Sequence, residues 1–143
     1  MHKKSRMRYN ELWRTLVQKG CYPEGEARAV ARTLLADKYG MSMADMLCCD
    51  IEAYADADTI VADVAKLEEC CPVQYVVGKA WFCDRQFEVR PGCLIPRPET
   101  EELCQWIISS FASREPHSDG ISRTSILDVG TGSGCISVTL ALG

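Results

Sequence analysis

The stretch that decides the fold is Ile126-Leu127-Asp128-Val129-Gly130-Thr131-Gly132-Ser133-Gly134. An apolar run that closes on an acidic residue and is followed by glycines at alternate positions is typical of a buried strand entering a tight loop. We therefore predict a strand over residues 125–129. A cofactor can lie against such a loop, because glycines let the backbone approach a ligand closely.

After the loop, the local pattern and its context disagree. Ile136, Val138, Leu140 and Leu142 alternate with smaller or polar residues, which alone would indicate a strand. A glycine loop that leaves a parallel strand normally opens a helix, and this context has more weight than a short alternation. We predict a helix here. Because the sequence stops nine residues after Gly134, we expect only the truncated start of this domain.

The spacing of the glycines discriminates among cofactors. A dinucleotide fingerprint would have Gly or Ala at position 135, where the sequence has Cys135, and a P-loop would have a lysine followed by Ser or Thr. S-adenosylmethionine remains the leading candidate, since its methionine portion needs close backbone approach and an acid near the strand end. A purely structural glycine turn is the alternative. The predicted cofactor-binding residues of the loop are Asp128, Gly130, Thr131, Gly132, Ser133 and Gly134.

The N-terminal half of the chain has the periodicity of helices that pack on one another. Apolar residues recur at helical spacing in four segments, each bounded by a glycine, a proline or a capping residue. These segments predict helices over about residues 9–17, 27–35, 42–48 and 60–71, with stops at Gly20, Gly40 and Pro72 and caps at Ser42 and either Asp56 or Asp58.

Between residues 72 and 94 the period becomes strand-like, beginning with Tyr75, Val76 and Val77. Two aromatic-rich arms follow, and Asp84 and Arg85 lie where a turn between them would fall. We predict a β-hairpin connector over residues 72–95.

A stiff and acidic segment comes next, Ile95-Pro96-Arg97-Pro98-Glu99-Thr100-Glu101-Glu102. Each proline fixes its own φ angle and restricts the residue before it. Pro98 can occupy the first position of a helix, and acidic residues suit the positive end of the helix dipole. The predicted apolar face of this helix consists of Leu103, Trp106, Ile107 and Phe111.

Three segments in this order resemble the release factor glutamine methyltransferase family. They are Pro72-Val73-Gln74-Tyr75-Val76-Val77-Gly78 with Phe82 and Phe87, then Leu94-Ile95-Pro96-Arg97-Pro98-Glu99-Thr100-Glu101, then Asp128 to Gly134. The Pro-Arg-Pro-Glu-Thr-Glu run is highly specific, whereas the helical half matches only in general character. Related ribosomal-protein glutamine methyltransferases keep the Pro-Arg but diverge after it, so residues 98–101 favour release factors as the substrate.

The resemblance implies three parts: an α-helical bundle for substrate docking over residues 1–71, the β-hairpin connector over residues 72–95, and the truncated start of a class I, Rossmann-like α/β methyltransferase domain over residues 96–143. It implies S-adenosylmethionine-dependent N5-methylation of the glutamine in the Gly-Gly-Gln motif of peptide chain release factors. Glu99 and Thr100 then become candidate cofactor-binding residues and Arg97 a candidate neighbour of the substrate, although a helix start would use the same residues for structure alone. The family's catalytic Asn-Pro-Pro-Tyr motif would lie beyond Gly143, so no catalytic residue is predicted in this chain.

Composition limits the other classes of function. A chain with 47% hydrophobic residues and a formal charge of -4 is typical of a cytoplasmic protein and does not suggest direct nucleic-acid binding. Its basic start, which includes Lys3 and Lys4, is interpreted as a frayed terminus. No apolar run approaches the roughly 20 residues of a membrane span, and a secretory signal is not recognisable.

The nine cysteines are interpreted as reduced thiols that fill small apolar positions. Their number is odd, and a disulfide framework would be expected in an exported chain. No metal site is predicted, because Cys-x-x-Cys spacing does not occur and the sequence has only two histidines. A cysteine nucleophile paired with His117 finds no supporting motif.

Three alternatives stay open: a non-catalytic helical module that binds a translation factor, a ribosomal-protein glutamine methyltransferase, and a nucleic-acid adenine methyltransferase. The last would share the cofactor loop, but the acidic charge balance argues against it. Residues 96–143 number only 48, whereas a core of fewer than about 70 residues rarely supplies much stability. We therefore expect this chain alone neither to transfer methyl groups nor to bind S-adenosylmethionine usefully.

Overall fold

The computed structural model of the chain describes residues 6–112 and 125–143. The chain divides into two compact units, one up to Val77 and one from Gly78 onward, and each has its own apolar core. We call them the helical unit and the hairpin unit. Lys3, Lys4, His117 and nearly all of the polar segment around it lie outside the described residues.

The helical unit confirms the four predicted helices and adds shorter ones. Its elements are α1 (Tyr9–Gln18), α2 (Glu24–Thr33) continuing into a π-helical turn (Leu34–Lys38), α3 (Met43–Cys48), a 3₁₀ turn (Ile51–Ala53), α4 (Ala57–Glu68) and α5 (Val73–Val77). Its core consists mainly of Leu12, Leu16, Ala27, Ala31, Leu34, Leu35, Ile51, Ile60, Leu67 and Val76.

Local hydrogen bonds explain where these helices begin. Ser42 Oγ accepts from the Asp45 backbone N–H at 3.2 Å, and the Ser42 N–H donates to Asp45 Oδ2 at 2.8 Å, which is a capping box. Asp56, rather than Asp58, caps α4, because its Oδ1 accepts from the Thr59 N–H at 2.9 Å. The hydrogen bonds from Thr59 hold the pKa of Asp56 below its ordinary value.

The end of α4 differs from the prediction, which extended the helix to Cys71. The helix ends at Glu68, and Cys70 then takes a left-handed φ of 59°. The N–H groups of Cys70 and Cys71 donate to the carbonyls of Leu67 and Lys66, each at 3.0 Å. This is the Schellman arrangement, in which a cysteine occupies the position that glycine usually takes.

The strand-like interpretation of Tyr75 to Val77 was wrong, since residues 73–77 form α5. The Tyr75 N–H donates to the Pro72 carbonyl at 2.9 Å, so Pro72 starts a helical turn. Val73 and Val76 are three residues apart and both buried in the core of the helical unit. Burial of one helical face therefore overrides the β propensity of this valine-rich segment.

The interpretation of all nine cysteines as reduced thiols was also wrong, because Cys21 and Cys70 form a disulfide. Cys21 follows α1 and Cys70 follows α4, and their Cα atoms are 5.7 Å apart. The bond joins residues 49 positions apart in the chain. The other seven cysteines are not part of a disulfide.

The hairpin unit contains β1 (Lys79–Phe82), β2 (Arg85–Glu88), α6 (Pro98–Ala112) and α7 (Cys135–Leu142). The strands pair antiparallel, with Ala80 opposite Phe87 and Phe82 opposite Arg85. The predicted hairpin is confirmed, but Cys83 and Asp84 form its turn and Arg85 already belongs to β2. The start of α6 at Pro98 and the helix after Gly134 are confirmed as well.

The strand predicted over residues 125–129 does not form. Residues 125–128 have no regular structure, and the side chains of Leu127 and Val129 are 87% and 86% exposed. A parallel strand needs a neighbour for its backbone hydrogen bonds. In the part of the chain that the structure describes, the only strands are the two of the hairpin, and they pair with each other.

The apolar face of α6 also differs from the prediction. Of the four predicted residues, Ile107 and Phe111 are half-buried, but Leu103 and Trp106 are exposed, and Cys104 is fully buried instead. Cys104 packs with Phe82 and Phe87 of the hairpin and with Cys135 of α7. The helix is therefore oriented by the hairpin and α7 rather than by its own largest side chains. Within the described residues, no helix is both long and apolar enough to cross a membrane.

Candidate functional site

The glycine loop leads directly into α7. Gly130, Gly132 and Gly134 have φ angles of 76°, 58° and 77°, which lie in the left-handed region that glycine adopts without strain. The Gly134 N–H donates to the Thr131 carbonyl at 2.9 Å, and α7 begins at the next residue. A Cβ at Gly130 would have open space around it. Glycine is therefore needed there for its positive φ angle and not because a side chain would clash.

Side-chain hydrogen bonds join the loop to the residues on both sides of it. Thr131 Oγ1 donates to Asp128 Oδ2 at 2.9 Å and lies 3.2 Å from Ser137 Oγ. Ser137 Oγ in turn donates to the Gly134 carbonyl at 3.1 Å. Asp128 therefore has a direct structural role in the loop. Our sequence reasoning missed Ser137, although a serine three residues after the last glycine is placed to bond back to it.

An open cleft of about 680 Å³ lies beside the loop, within the size range of small-molecule sites. Gly132 and Ser133 form one side of it, and the other side comes from the open end of the hairpin and the residues that follow. Glu88 and Arg90 give that second side one charge of each sign. The remaining lining residues are Gly78, Val89, Pro91, Gly92 and Cys93.

Of the nine predicted site residues, two line this cleft, Gly132 and Ser133. Arg97 precedes α6, and its carbonyl accepts from the Thr100 N–H at 3.0 Å. Glu99 and Thr100 lie in the first turn of α6, and neither they nor Arg97 line the cleft. Their use in cofactor or substrate binding stays a prediction.

Glu101 is a further residue whose contact the sequence analysis missed. Its Oε2 accepts from the backbone N–H of Cys83, 18 residues earlier, at 3.0 Å. Cys83 and Asp84 both have left-handed φ angles, 47° and 58°. The carboxylate thus fixes α6 to the turn of the hairpin. No local pattern signals this contact, because it depends on how the hairpin packs on the helix.

Three thiols lie around this contact, on Cys83, Cys104 and Cys135. Burial raises the pKa of the Cys83 and Cys104 thiols above the ordinary value, and the nearby Glu101 carboxylate acts in the same direction. Both groups are therefore neutral at physiological pH and are poor nucleophiles. Residues 6–112 and 125–143 contain no group of three or more His, Cys, Asp or Glu side chains placed to hold a metal ion.

Comparison with known proteins identifies similar sequences over most of the chain. A release factor glutamine methyltransferase of Bacteroides thetaiotaomicron is 34% identical over 128 residues, which cover 83% of this chain and 40% of that protein. Proteins of the same description from Bacillus subtilis and Chlorobaculum tepidum are 48% and 51% identical, over about half of this chain and a quarter of each relative. No protein-family model matches the chain. The chain thus spans between about a quarter and two-fifths of the length of these curated relatives.

Proposed function

Because the chain belongs to the family of release factor glutamine methyltransferases, we propose that it carries the docking helices and the cofactor loop of an enzyme that methylates a glutamine of peptide chain release factors. The observation that carries the proposal is the identity of 34% over 83% of the chain with a relative of that description. The enzyme would work in the cytoplasm, where release factors act on the ribosome.

The residues of the glycine loop, of which Gly132 and Ser133 line the cleft, fit S-adenosylmethionine. That cofactor would supply the methyl group, as an electrophilic carbon on a sulfonium centre. Gly130, Gly132 and Gly134 carry no side chains, so a ligand can approach the loop backbone closely. Asp128 holds the loop through Thr131 and offers a negative charge near it. We propose Asp128 to Gly134 as the cofactor-binding segment, with Glu99 and Thr100 as further candidates and Arg97 nearer the substrate.

Catalysis of this reaction would need groups beyond those described. An amide nitrogen is a weak nucleophile because its lone pair is delocalised, so rate enhancement depends on orientation and on acceptors placed at the developing charge of the NH group. In the family, the Asn-Pro-Pro-Tyr motif provides these acceptors, and this sequence does not contain it. The 143 residues therefore supply positioning and binding groups without the catalytic ones.

We expect the 143-residue chain to leave release factor unmethylated. The test incubates this chain, and separately the full product of its gene, with S-adenosylmethionine and release factor, and then measures the mass of the Gly-Gly-Gln peptide. A gene product that carries Asn-Pro-Pro-Tyr should add one methyl group to the glutamine. Failure of such a product to do so would overturn the proposal, whereas methylation by the 143 residues alone would contradict the role given to the Asn-Pro-Pro-Tyr motif.

A variant of the loop tests the cofactor site separately. Gly132→Val places a β-branched residue at a φ of 58°, where such side chains are genuine outliers. The distortion should lower the affinity of the full gene product for S-adenosylmethionine about tenfold, since left-handed conformations cost roughly 1–2 kcal/mol. Calorimetry measures the affinity. Gly25→Ala is the control, because Gly25 lies in α2 with open space around it. Equal affinities in the two variants would count against the loop as the binding segment.

The rival function is a helical module that binds a translation factor without chemistry. It is favoured by the helical unit, whose core is complete enough to bury Leu16, Leu34 and Leu67 fully. The two functions differ in what the gene encodes. A gene product without Asn-Pro-Pro-Tyr that still binds release factor in a pull-down would support the module, while methylation would exclude a purely non-catalytic role.

A further inference from the structure

The hairpin turn has a backbone conformation that needs support. Phe82 pairs with Arg85, so Cys83 and Asp84 form a two-residue turn in which both φ angles are positive, 47° and 58°. Such turns match the twist of the strands but normally contain Asn-Gly, Asp-Gly or Gly-Gly. Neither residue here is glycine, so the turn is intrinsically unfavourable and its conformation depends on contacts from outside the hairpin.

Glu101 provides the main contact of this kind. Its carboxylate accepts from the Cys83 N–H at 3.0 Å, and both residues are half-buried. Hydrogen bonds to an ionised acceptor are roughly twice as strong as neutral ones. On the other side of the turn, the Arg85 guanidinium donates to the Cys83 carbonyl at 3.3 Å. The turn is therefore held through the backbone of Cys83 from two directions.

The opposite end of the same hairpin forms a wall of the cleft. Gly78 and Glu88 line the cleft together with the residues up to Cys93, and they face Gly132 and Ser133. The Val89 N–H donates to the Gly78 carbonyl at 3.0 Å, so a backbone hydrogen bond continues the strand pairing at this end. Strands of four residues are about 13 Å long, so a tilt at the turn displaces the wall at the far end.

Apolar side chains also hold the hairpin on its neighbours in the described part of this unit. Phe82 and Phe87 contact each other edge to face, with ring centroids 6.1 Å apart, and pack with Cys104 and Cys135. Apolar contacts are not directional, so they resist separation better than they resist sliding. The bond from Glu101 is directional and fixes where on α6 the turn lies.

We infer that Glu101 is a positioning residue, whose carboxylate fixes the hairpin turn on α6 and thereby sets the wall of the cleft that faces the glycine loop. Glu101 does not line the cleft itself, so its effect on a ligand passes through the hairpin. The inference rests on the proposed function in one respect, namely that the ligand of the cleft is S-adenosylmethionine.

The experiment compares Glu101→Ala, Glu101→Gln and the control Glu102→Gln. Glu102 is the next residue of α6 and is exposed. In the 143-residue chain, nuclear magnetic resonance follows the Cys83 amide. Its exchange with solvent should accelerate on the order of tenfold in Glu101→Ala and less in Glu101→Gln, which keeps an uncharged acceptor. Glu102→Gln should leave the Cys83 signal unchanged.

The second measurement is the affinity of the full gene product for S-adenosylmethionine. We expect it to weaken severalfold in Glu101→Ala and partly recover in Glu101→Gln, while circular dichroism shows unchanged helix content. A structural role confined to the fold would not produce this graded change in affinity. Should Glu101→Ala unfold the protein, the comparison of Glu101→Gln with Glu102→Gln remains.

The outcomes separate the two proposals. If the wild type binds S-adenosylmethionine and both Glu101 variants bind it equally well, the inference about Glu101 is overturned and the proposed function stands. An unchanged Cys83 amide in Glu101→Ala would overturn the inference as well. If no variant, including the wild type and Glu102→Gln, binds the cofactor, the proposed function fails and the inference fails with it.

Discussion

Reduction of the disulfide between Cys21 and Cys70 is expected to lower the free energy of unfolding of the helical unit by about 4 kcal/mol. The bond closes a loop over a sequence separation of 49 residues, which contains α2, α3 and α4. In the chain-entropy description, a link across such a loop removes many conformations from the unfolded state. Most of the helical unit lies within the loop, so the effect should apply to its whole unfolding transition.

The position of the two cysteines near the surface makes this prediction easy to test. Cys21 is half-buried and Cys70 exposed, so a dithiol reductant can reach the bond. Lys19 Nζ lies 3.3 Å from Glu68 Oε2, and Tyr22 Oη donates to the Cys71 carbonyl at 3.3 Å. These contacts flank the bond and persist after reduction, so the unit should remain folded although less stable. If the protein acts in the cytoplasm, where thiols are kept reduced, the reduced form is the relevant one.

Urea unfolding followed by circular dichroism, with and without dithiothreitol, measures the difference. The double variant Cys21→Ser with Cys70→Ser should match the reduced wild type and should no longer respond to the reductant. Cys48→Ser is the control, because Cys48 is an exposed free thiol in the same unit. A wild type whose unfolding midpoint is the same in both conditions would contradict the prediction.

The helices of the helical unit could be predicted from the sequence because their signals are local. Gly20 and Gly40 have the left-handed φ angles that their role as helix stops requires, and Ser42 makes the hydrogen bond expected of a cap. The disulfide could not be predicted in the same way. Its two cysteines are brought together only by the packing of α1 and α4, and the redox argument pointed in the opposite direction.

The hairpin unit was less predictable because its contacts are not local. The segment before Asp128 has the pattern of a buried strand, yet Leu127 is exposed because the described chain offers no free strand to pair with it. The glycine loop and α7 formed as predicted, since positive φ angles and a helix start are properties of a few adjacent residues. The link from Glu101 to Cys83 could not be predicted, because nothing in either residue's neighbourhood indicates the other.

Asp63→Ala is expected to destabilise the helical unit by roughly 3 kcal/mol, through the loss of a buried acceptor with several donors. Asp63 is 2% exposed. Lys38 Nζ donates to its Oδ1 at 2.7 Å, and Tyr39 Oη donates to its Oδ2 at 2.8 Å. Burial and the bond to Asp63 raise the pKa of Tyr39 above its ordinary value, so the phenol keeps its proton and remains a donor.

The cost arises from the partners that the substitution leaves behind. Lys38 is about three-quarters buried and donates also to the Val76 carbonyl at 2.9 Å, which ties the π-helical turn to α5. Without Asp63, the ammonium group either stays in the protein with a single acceptor or moves into water and gives up the contact with α5. Both outcomes cost free energy, because a charge that loses its buried partner is strongly destabilising.

Chemical unfolding measures the free energy of unfolding of each variant. A comparison with Asp58→Ala distinguishes the loss of the Asp63 network from the loss of any carboxylate on α4. Asp58→Ala removes an exposed carboxylate from the same helix and should cost less than about 1 kcal/mol, the usual worth of a charge near a helix end. Tyr39→Phe removes one donor and should cost about 1 kcal/mol. Combined with Asp63→Ala, it should cost less than the sum of the two single changes, because the tyrosine hydroxyl has already lost its acceptor. Strict additivity of Asp63→Ala and Tyr39→Phe would show that the hydroxyl gains little from Asp63, and the network would then reduce to the ion pairs of Asp63 with Lys38 and Lys66.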